Sequence, residues 1–488
     1  MTTSATSATS SGGATQQPAA RSGPHPATVP IVLVGVFLSG LDFFIVNVAI
    51  PAIQADLHAS EAQIQLIVAT YALMCGVGMI TGGRLGDLFG RRRLFVIAMV
   101  SFTLTSTACG LALNTGSLLA FRMAQGAAAA LMAPQVLAIF STVYTGAARA
   151  RAINWYGAIS GFAAVFGQLI GGLLIKLDAF GLGWRACFLI NLPIGLVAAV
   201  LALKYVPESK APGRPKLDLI GMALVTTALI ALCLPLIEGR QQGWPDWAWT
   251  LLIASVPLFA VFALRQNKLR ASGGSPSVDL TLFKERAFTA GLVAQLTFFA
   301  SMASYFLVLA LYLQKGRLLD PLDSGVVFAA LGVGYIITSM TARKVAAKLG
   351  PQTIAVGCVI RLVALVLQIW AVSNIGVTGS VGWLVPGLFL DGAGMGLAIA
   401  PLASTVLTRV SPHNAGSASS VLTTGLQVGN GLGVALIGLV FYNVLGSNPG
   451  TGDYSDAFRA CLYYVLAITV LLGLVVQALP KNPAGATK

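Results

Sequence analysis

Asp42 stands about midway along an otherwise apolar run, from Val29 to roughly Ile53, that is long enough to cross a bilayer as a helix. A carboxylate at that depth is costly, and its presence marks function by default. The chemistry open to it is proton uptake and release, governed by any cation at matching depth. Arg122 lies about five residues from the outer end of its own apolar stretch, against about eleven for Asp42, so the two depths are within reach of each other. Desolvation favours the neutral acid and a guanidinium favours the carboxylate, so a bound molecule that disturbs the pair changes its proton occupancy. The alternative is a static buried ion pair that only fixes helix packing. Asp391 and Arg361, each roughly midway along an apolar stretch, make a second embedded opposite-charge set. The glycines around Asp391, from Gly387 to Gly396, permit close helix packing as readily as they line a path, so this pair reads either way.

The elements that must position these charges follow from composition. Of 488 residues, 56% are hydrophobic and 9% charged, values foreign to a soluble domain of this size. The chain therefore reads as an all-α polytopic membrane protein. About fourteen spans are expected, near 29–53, 62–83, 94–113, 117–140, 153–175, 186–206, 217–237, 247–266, 287–313, 323–342, 352–373, 382–407, 416–442 and 459–479. Basic residues crowd the loops after even-numbered spans: Arg91 to Arg93, Arg149 and Arg151, Lys210 and Lys216, Arg265 to Arg286, Arg343 to Lys348, and Arg409. By the positive-inside rule those loops and both termini are cytoplasmic. The opposite loops carry acids, among them Asp56, Glu61, Asp178, Asp246, Asp320, Asp323, Asp453 and Asp456. The net charge of +14 is thus a topology signal, and nucleic acid is not an expected partner. Residues 1–28 and 481–488 read as cytoplasmic tails, the first of them disordered. Six cysteines inside or at the ends of spans show no CxxC spacing, so neither disulfides nor a metal site are expected.

An internal repeat divides the spans. The turn Gly83-Arg84-Leu85-Gly86-Asp87-Leu88-Phe89-Gly90-Arg91-Arg92 after span 2 has a degraded counterpart after span 10, with Gly350 matching Gly90 and Ala347 opposite Asp87. Two related six-helix bundles, 29–207 and 287–480, are implied, with a two-helix insert and its linkers over 208–286. At a cytoplasmic helix end a carboxylate such as Asp87 can satisfy a neighbouring helix N-terminus while arginines hold it, which makes Gly83, Asp87, Gly90, Arg91 and Arg92 a candidate conformational latch.

At this point the sequence resembles the major facilitator superfamily, and its fourteen spans point to the drug:proton antiporter branch. The loop just quoted resembles the superfamily's cytoplasmic motif, and Leu41-Asp42-x-x-Ile45-Val46-Asn47-Val48-Ala49-Ile50-Pro51 its first-helix motif in this branch. Arg122-x-x-Gln125-Gly126 resembles the motif associated with proton transfer. Gly167-Gln168-Leu169-Ile170-Gly171-Gly172 resembles the antiporter motif, with Gln168 in place of its proline. Trp184-Arg185-x-x-Phe188-x-Ile190-Asn191-x-Pro193 matches a further pattern of the branch. The resemblance implies a latch partner near Gly416 at the start of span 13.

Small and polar residues Gly35, Ser39 and Asp42 fall at helical spacing, so this stripe is expected to face a wet cavity. Gln168, Gln295, Phe298, Phe299, Met302 and Tyr305, with Ser420, Thr423, Gln427 and Asn430 in span 13, are the candidate cavity walls. One aromatic and one hydrogen-bonding face suit amphipathic organic molecules. The expected function is proton-coupled export of hydrophobic or amphipathic small molecules across a bacterial inner membrane, by alternating access and as a monomer. Dedicated export of one endogenous metabolite, such as a self-made antibiotic, is the alternative. A membrane-embedded lipid-modifying enzyme would need clustered acids or histidines, and the chain has no DDxxD-like pair and no HExxH. It also has no GxxxxGK[ST], so no cofactor is expected and a proton gradient is the simplest driver.

Overall fold

The computed structural model describes residues 25–210, 218–239, 242–274, 276, 278–350, 352–376, 378–407, 415–446 and 449–479. Among the described residues, fourteen helices are long and apolar enough to cross a membrane. They are α1 (Thr28–Leu57), α2 (Glu61–Phe89), α3 (Arg91–Gly110), α4 (Thr115–Val143), α5 (Gly146–Leu177), α6 (Gly183–Tyr205) and α7 (Leu219–Glu238). There follow α8 (Asp246–Ala271), α9 (Arg286–Gly316), α10 (Pro321–Leu349), α11 (Gln352–Ile375), α12 (Val385–Leu407), α13 (Ala415–Leu445) and α14 (Thr451–Gln477).

Local sequence explains where these helices begin. Ser60 and Gln63 form a capping box at α2, and Asn114 and Ser117 form one at α4. Asp320 caps α10, with Pro321 in its first turn. Between α2 and α3 the chain reverses at Gly90, whose φ of +106° excludes most side chains. Gly350, its counterpart after α10, also has a positive φ, +56°.

Several helices outrun the apolar stretches that announce them. Arg149 and Arg151 belong to the first turns of α5, Arg265 to α8, and Lys344 and Lys348 to α10, where loop positions were expected. Likewise α14 begins at Thr451, so Asp453 and Asp456 are helical, and Asp453 accepts the Gly450 N–H at 2.8 Å. Hydropathy stops where charge begins, but a helix continues past the hydrocarbon edge while its ends are capped and its long side chains reach water. The tail residues 1–24 and 480–488, together with Lys216, Arg409 and residues 411–414, lie outside the described residues.

Helices α1–α6 pack as one bundle and α9–α14 as another, and the two meet along two seams, α2 against α13 and α5 against α10. Helices α7 and α8 lie outside the first seam. Val225, Leu229 and Phe262 of the pair share an apolar cluster with Leu73 and Val77 of α2 and Leu422 of α13.

The end of the molecule bearing the odd-numbered loops is tied across the halves. Lys176 Nζ meets Asp320 Oδ2 at 2.8 Å, and Lys315 donates to Gln54 Oε1. A Cβ on Gly172 would stand 2.2 Å from the Pro321 carbonyl oxygen, and one on Gly438 would stand 2.5 Å from the Gln65 amide. At Gly172 no side chain intervenes and the backbones approach closely, whereas Gly438 leaves room for the Gln65 side chain.

Candidate functional site

Helix α1 carries Asp42 into the interior of its own bundle, where the carboxyl group is fully buried. Arg122 of α4 donates through Nη1 to Asp42 Oδ2. Gln125, one turn on in α4, donates to Oδ1 at 2.8 Å, and Asn191 of α6 donates to the same oxygen at 2.9 Å. Both carboxylate oxygens are thus partnered. Arg122 is itself fixed by Nε on the Ile67 carbonyl at 3.1 Å, by Nη1 on Gln125 Oε1 at 2.9 Å, and by the Tyr71 ring 4.3 Å from its guanidinium carbon. Asn191 also reaches Ser106 Oγ at 2.8 Å. Three helices, α1, α4 and α6, thus meet at one carboxylate, and α3 joins them through Ser106 on Asn191.

This arrangement surrounds a buried carboxylate with donors. Donors aimed at both oxygens stabilise the ionised form, whereas the surrounding low dielectric penalises it. Protonation would remove the charge that Arg122 pairs with and so weaken this contact between α1 and α4. The stripe through Gly35, Ser39 and Asp42 does not share one environment. A Cβ on Gly35 would meet Phe95 and Met132 of the same bundle, and Ser39 lines the cavity described below, whereas Asp42 faces away from it. The reason is angular: residues three apart on a helix differ by about 60° in direction, enough to separate cavity from interior.

The second pair is held less completely. Arg361 Nε meets Asp391 Oδ1 at 2.7 Å and its Nη2 meets Ser301 Oγ at 3.3 Å, with both charged residues fully buried. Asp391 Oδ2 and Arg361 Nη1 have no hydrogen-bond partner. Phe298, expected in the cavity wall, lies instead 5.5 Å from the Arg361 guanidinium.

At the even-loop end the expected latch is local. Asp87 pairs with Arg91 at 2.8 Å, one turn away, and Gly83 lies within the last two turns of α2. The carboxylate that satisfies a helix N-terminus is Glu208, whose oxygens accept the backbone N–H groups of Arg92 and Arg93 at 3.1 Å each. Arg92 adds its side chain to the Glu208 carboxylate at 3.8 Å, and Gly90 leaves room for it, since a Cβ there would stand 2.8 Å from the Glu208 carboxyl. At the N-terminus of α3 that position is held by Glu208 rather than by Asp87, whose described partner is Arg91. The expected partner near Gly416 lies outside the residues whose packing is described.

Between the halves lies a cavity of about 90 Å³. It is lined by the parts of the helices nearer the even-loop end: Ser39 and Phe43 of α1, Tyr156 of α5, Phe299 of α9, Thr423 and Asn430 of α13. Met302 and Gln427 complete the expected residues that it brings together. Four others do not line it. Gln168 donates to the Phe44 carbonyl at 2.9 Å, Gln295 to the Leu422 carbonyl at 2.9 Å, and Tyr305 Oη meets Gln368 Oε1 at 2.5 Å, while Phe298 lies against Arg361. All four face helix neighbours, and only the rotation of the helices in the bundle separates them from Phe299 and Met302. The side chain of Ser420 lies outside the described residues. Drug-sized ligands occupy roughly 300–1,000 Å³, so this cavity must widen to take one.

Comparison with known proteins agrees with this architecture. The sequence profile of the Major Facilitator Superfamily matches residues 32–434 and 291–487, the second match falling on the C-terminal bundle. The chain is 36% identical over 445 residues to a probable actinorhodin transporter of Streptomyces coelicolor, covering 90% of this chain and 77% of that one. It is 32% identical over 467 residues to the puromycin resistance protein pur8 of Streptomyces alboniger, covering 94% and 91%. A bacterial homolog of the human lysosomal transporter Spinster has the same fold, with a TM-score of 0.66 at 16% identity over 95% of this chain and 100% of that one.

Proposed function

Because the chain belongs to the Major Facilitator Superfamily and crosses the membrane many times, we propose that it exports amphipathic, antibiotic-like small molecules in exchange for protons, with Asp42 as the proton carrier. The observation that carries this reading is the fully buried carboxylate of α1 held by donors from α4 and α6, Arg122 among them. Cargo entering between the halves presses on α1 through Ser39 and Phe43, one to three residues from Asp42. Export of antibiotic-like cargo is supported by relatives named for actinorhodin transport and puromycin resistance. The same names favour a second reading, a dedicated exporter of one endogenous compound, which a cargo panel separates from multidrug efflux.

Orientation follows from charge. With the basic loops inside, both termini are cytoplasmic, the tied end faces outward, and the cavity lies toward the cytoplasm of a bacterial cell. The energy source is then the proton gradient alone, with no cofactor.

The test is substrate-evoked proton movement in proteoliposomes, with wild type beside Asp42→Asn. Removing one member of a buried pair leaves the other uncompensated, at a cost of about 3–5 kcal/mol. Asp42→Asn is therefore also combined with Arg122→Gln, which leaves no buried charge. Both variants are expected to insert, and to lose proton movement. Undiminished movement in either properly inserted variant sinks the assignment.

A further inference from the structure

We propose that the cargo of this cavity is an uncharged aromatic molecule bearing a hydrogen-bond donor, rather than a cation. The proposal rests on the export reading and deepens it by naming the cargo class.

Among the described residues, no side chain lining the cavity carries a formal charge at neutral pH. The two buried acids that a cation might use are both turned away and neutralised, Asp42 by Arg122 and Asp391 by Arg361, and all four side chains are fully buried. A cation entering this space would shed its water and find no counter-ion, the costly case for a buried charge. Ring faces attract cations, but more weakly than that desolvation opposes them. Here, moreover, Phe44 already packs edge-on against Phe43 and Phe306, and Phe299 against Phe298. What the walls offer is apolar and aromatic surface, with the thioethers of Met79 and Met302 for irregular fit.

The polar part of the wall is equally specific. Asn430, 3% exposed, donates through Nδ2 to Gln427 Oε1 at 3.0 Å, and Gln427 donates in turn to Cys75 Sγ at 3.0 Å. This chain of neutral groups runs from α13 to α2 across the seam and uses one N–H of each amide. Asn430 lines the cavity, and its Oδ1, a strong acceptor, is buried and left with no partner, so cargo reaches it as the cavity widens. A buried carbonyl oxygen without a donor is a cost that cargo can remove by supplying an O–H or N–H. Because the same amide anchors the bridge to Cys75, cargo bound there touches the contact that joins the halves.

Equilibrium dialysis against the full chain in lipid nanodiscs, with empty nanodiscs as baseline, tests this with two probes of one shape. These are 6(5H)-phenanthridinone, uncharged with one N–H, and N-methylphenanthridinium, a permanent cation on the same three rings. The uncharged probe is expected to bind at least tenfold more tightly. Asn430→Leu should weaken it about tenfold and leave the cation unaffected, and Asn430→Asp should reverse the preference. Equal or tighter binding of the cation by wild type, or no saturable binding of the uncharged probe, overturns the proposal. Selective binding of the uncharged probe without proton movement in proteoliposomes would uphold the cargo class and overturn proton coupling instead.

Discussion

The carboxylate of Asp42 illustrates how one residue acquires a function from its neighbours. Its depth in an apolar run marks it in the sequence, and matching depth marks Arg122. Gln125 is three residues beyond Arg122 and so shares its helix face, which makes it findable by spacing alone. Asn191 is not findable that way. It sits 149 positions from Asp42, in a helix whose rotation is set by Ser106 and by packing that no local pattern encodes. The wet stripe expected through Ser39 and Asp42 failed for a related reason, since only the assembled bundle decides which side of α1 meets water. A hydrogen bond to a charged group contributes about 1.5–3 kcal/mol, and 1.4 kcal/mol is a factor of ten. Asn191→Leu is accordingly expected to lower substrate-evoked proton flux about tenfold or more while leaving insertion intact. Flux equal to wild type would remove Asn191 from the proton machinery.

Helices were the most legible elements, because twenty apolar residues in a row have few other solutions. Their ends were less so: Arg149, Lys344 and Asp453 look like loop residues by charge, but each continues a helix. The insert shows what a cap adds. Asp218 accepts the Gly221 N–H at 2.9 Å at the start of α7 and binds Arg265 and Gln266 of α8 at 2.8 and 2.7 Å, tying the two helices together. Burial acts to raise the Asp218 carboxyl, but these hydrogen bonds outweigh it and hold the group below the usual carboxylate range. Its contribution to stability is then complete above the ordinary value of about 3.9 and lost only as pH falls through the lower folded value. Asp218→Ala should therefore lower the melting temperature in detergent equally at pH 6 and pH 8, by a few degrees, as expected for a lost N-cap of about 1 kcal/mol. A loss confined to one of these pH values would refute the account. The motif that ends in Gly171 and Gly172 was legible in α5, and Gly172 meets Pro321 of the other half.

At the scale of the molecule, the halves are closed at one end and enclose too little space for cargo at the other. The ties at the closed end involve few side chains: Lys176 with Asp320, Lys315 with Gln54, and the backbone approach at Gly172. The hydrogen bond from Lys176 holds the Asp320 carboxyl below its ordinary range, so this exposed pair stays ionised throughout physiological pH and does not itself sense protons. Under the proposed mechanism opening follows from the interior, where protonation of Asp42 weakens its pairing with Arg122. If so, fastening the closed end should stop transport without touching the proton site. Cysteines at Lys176 and Asp320, bridged by a short bis-maleimide, provide the fastening, since the six native cysteines are buried from the reagent. Bridged protein is expected to bind cargo with wild-type affinity and to transport less than about a tenth as much, while the unbridged double variant transports normally, because an exposed ion pair contributes about 0–1 kcal/mol. Transport that survives bridging would show that this end never opens, and with it the rocking of the two halves would have to be abandoned.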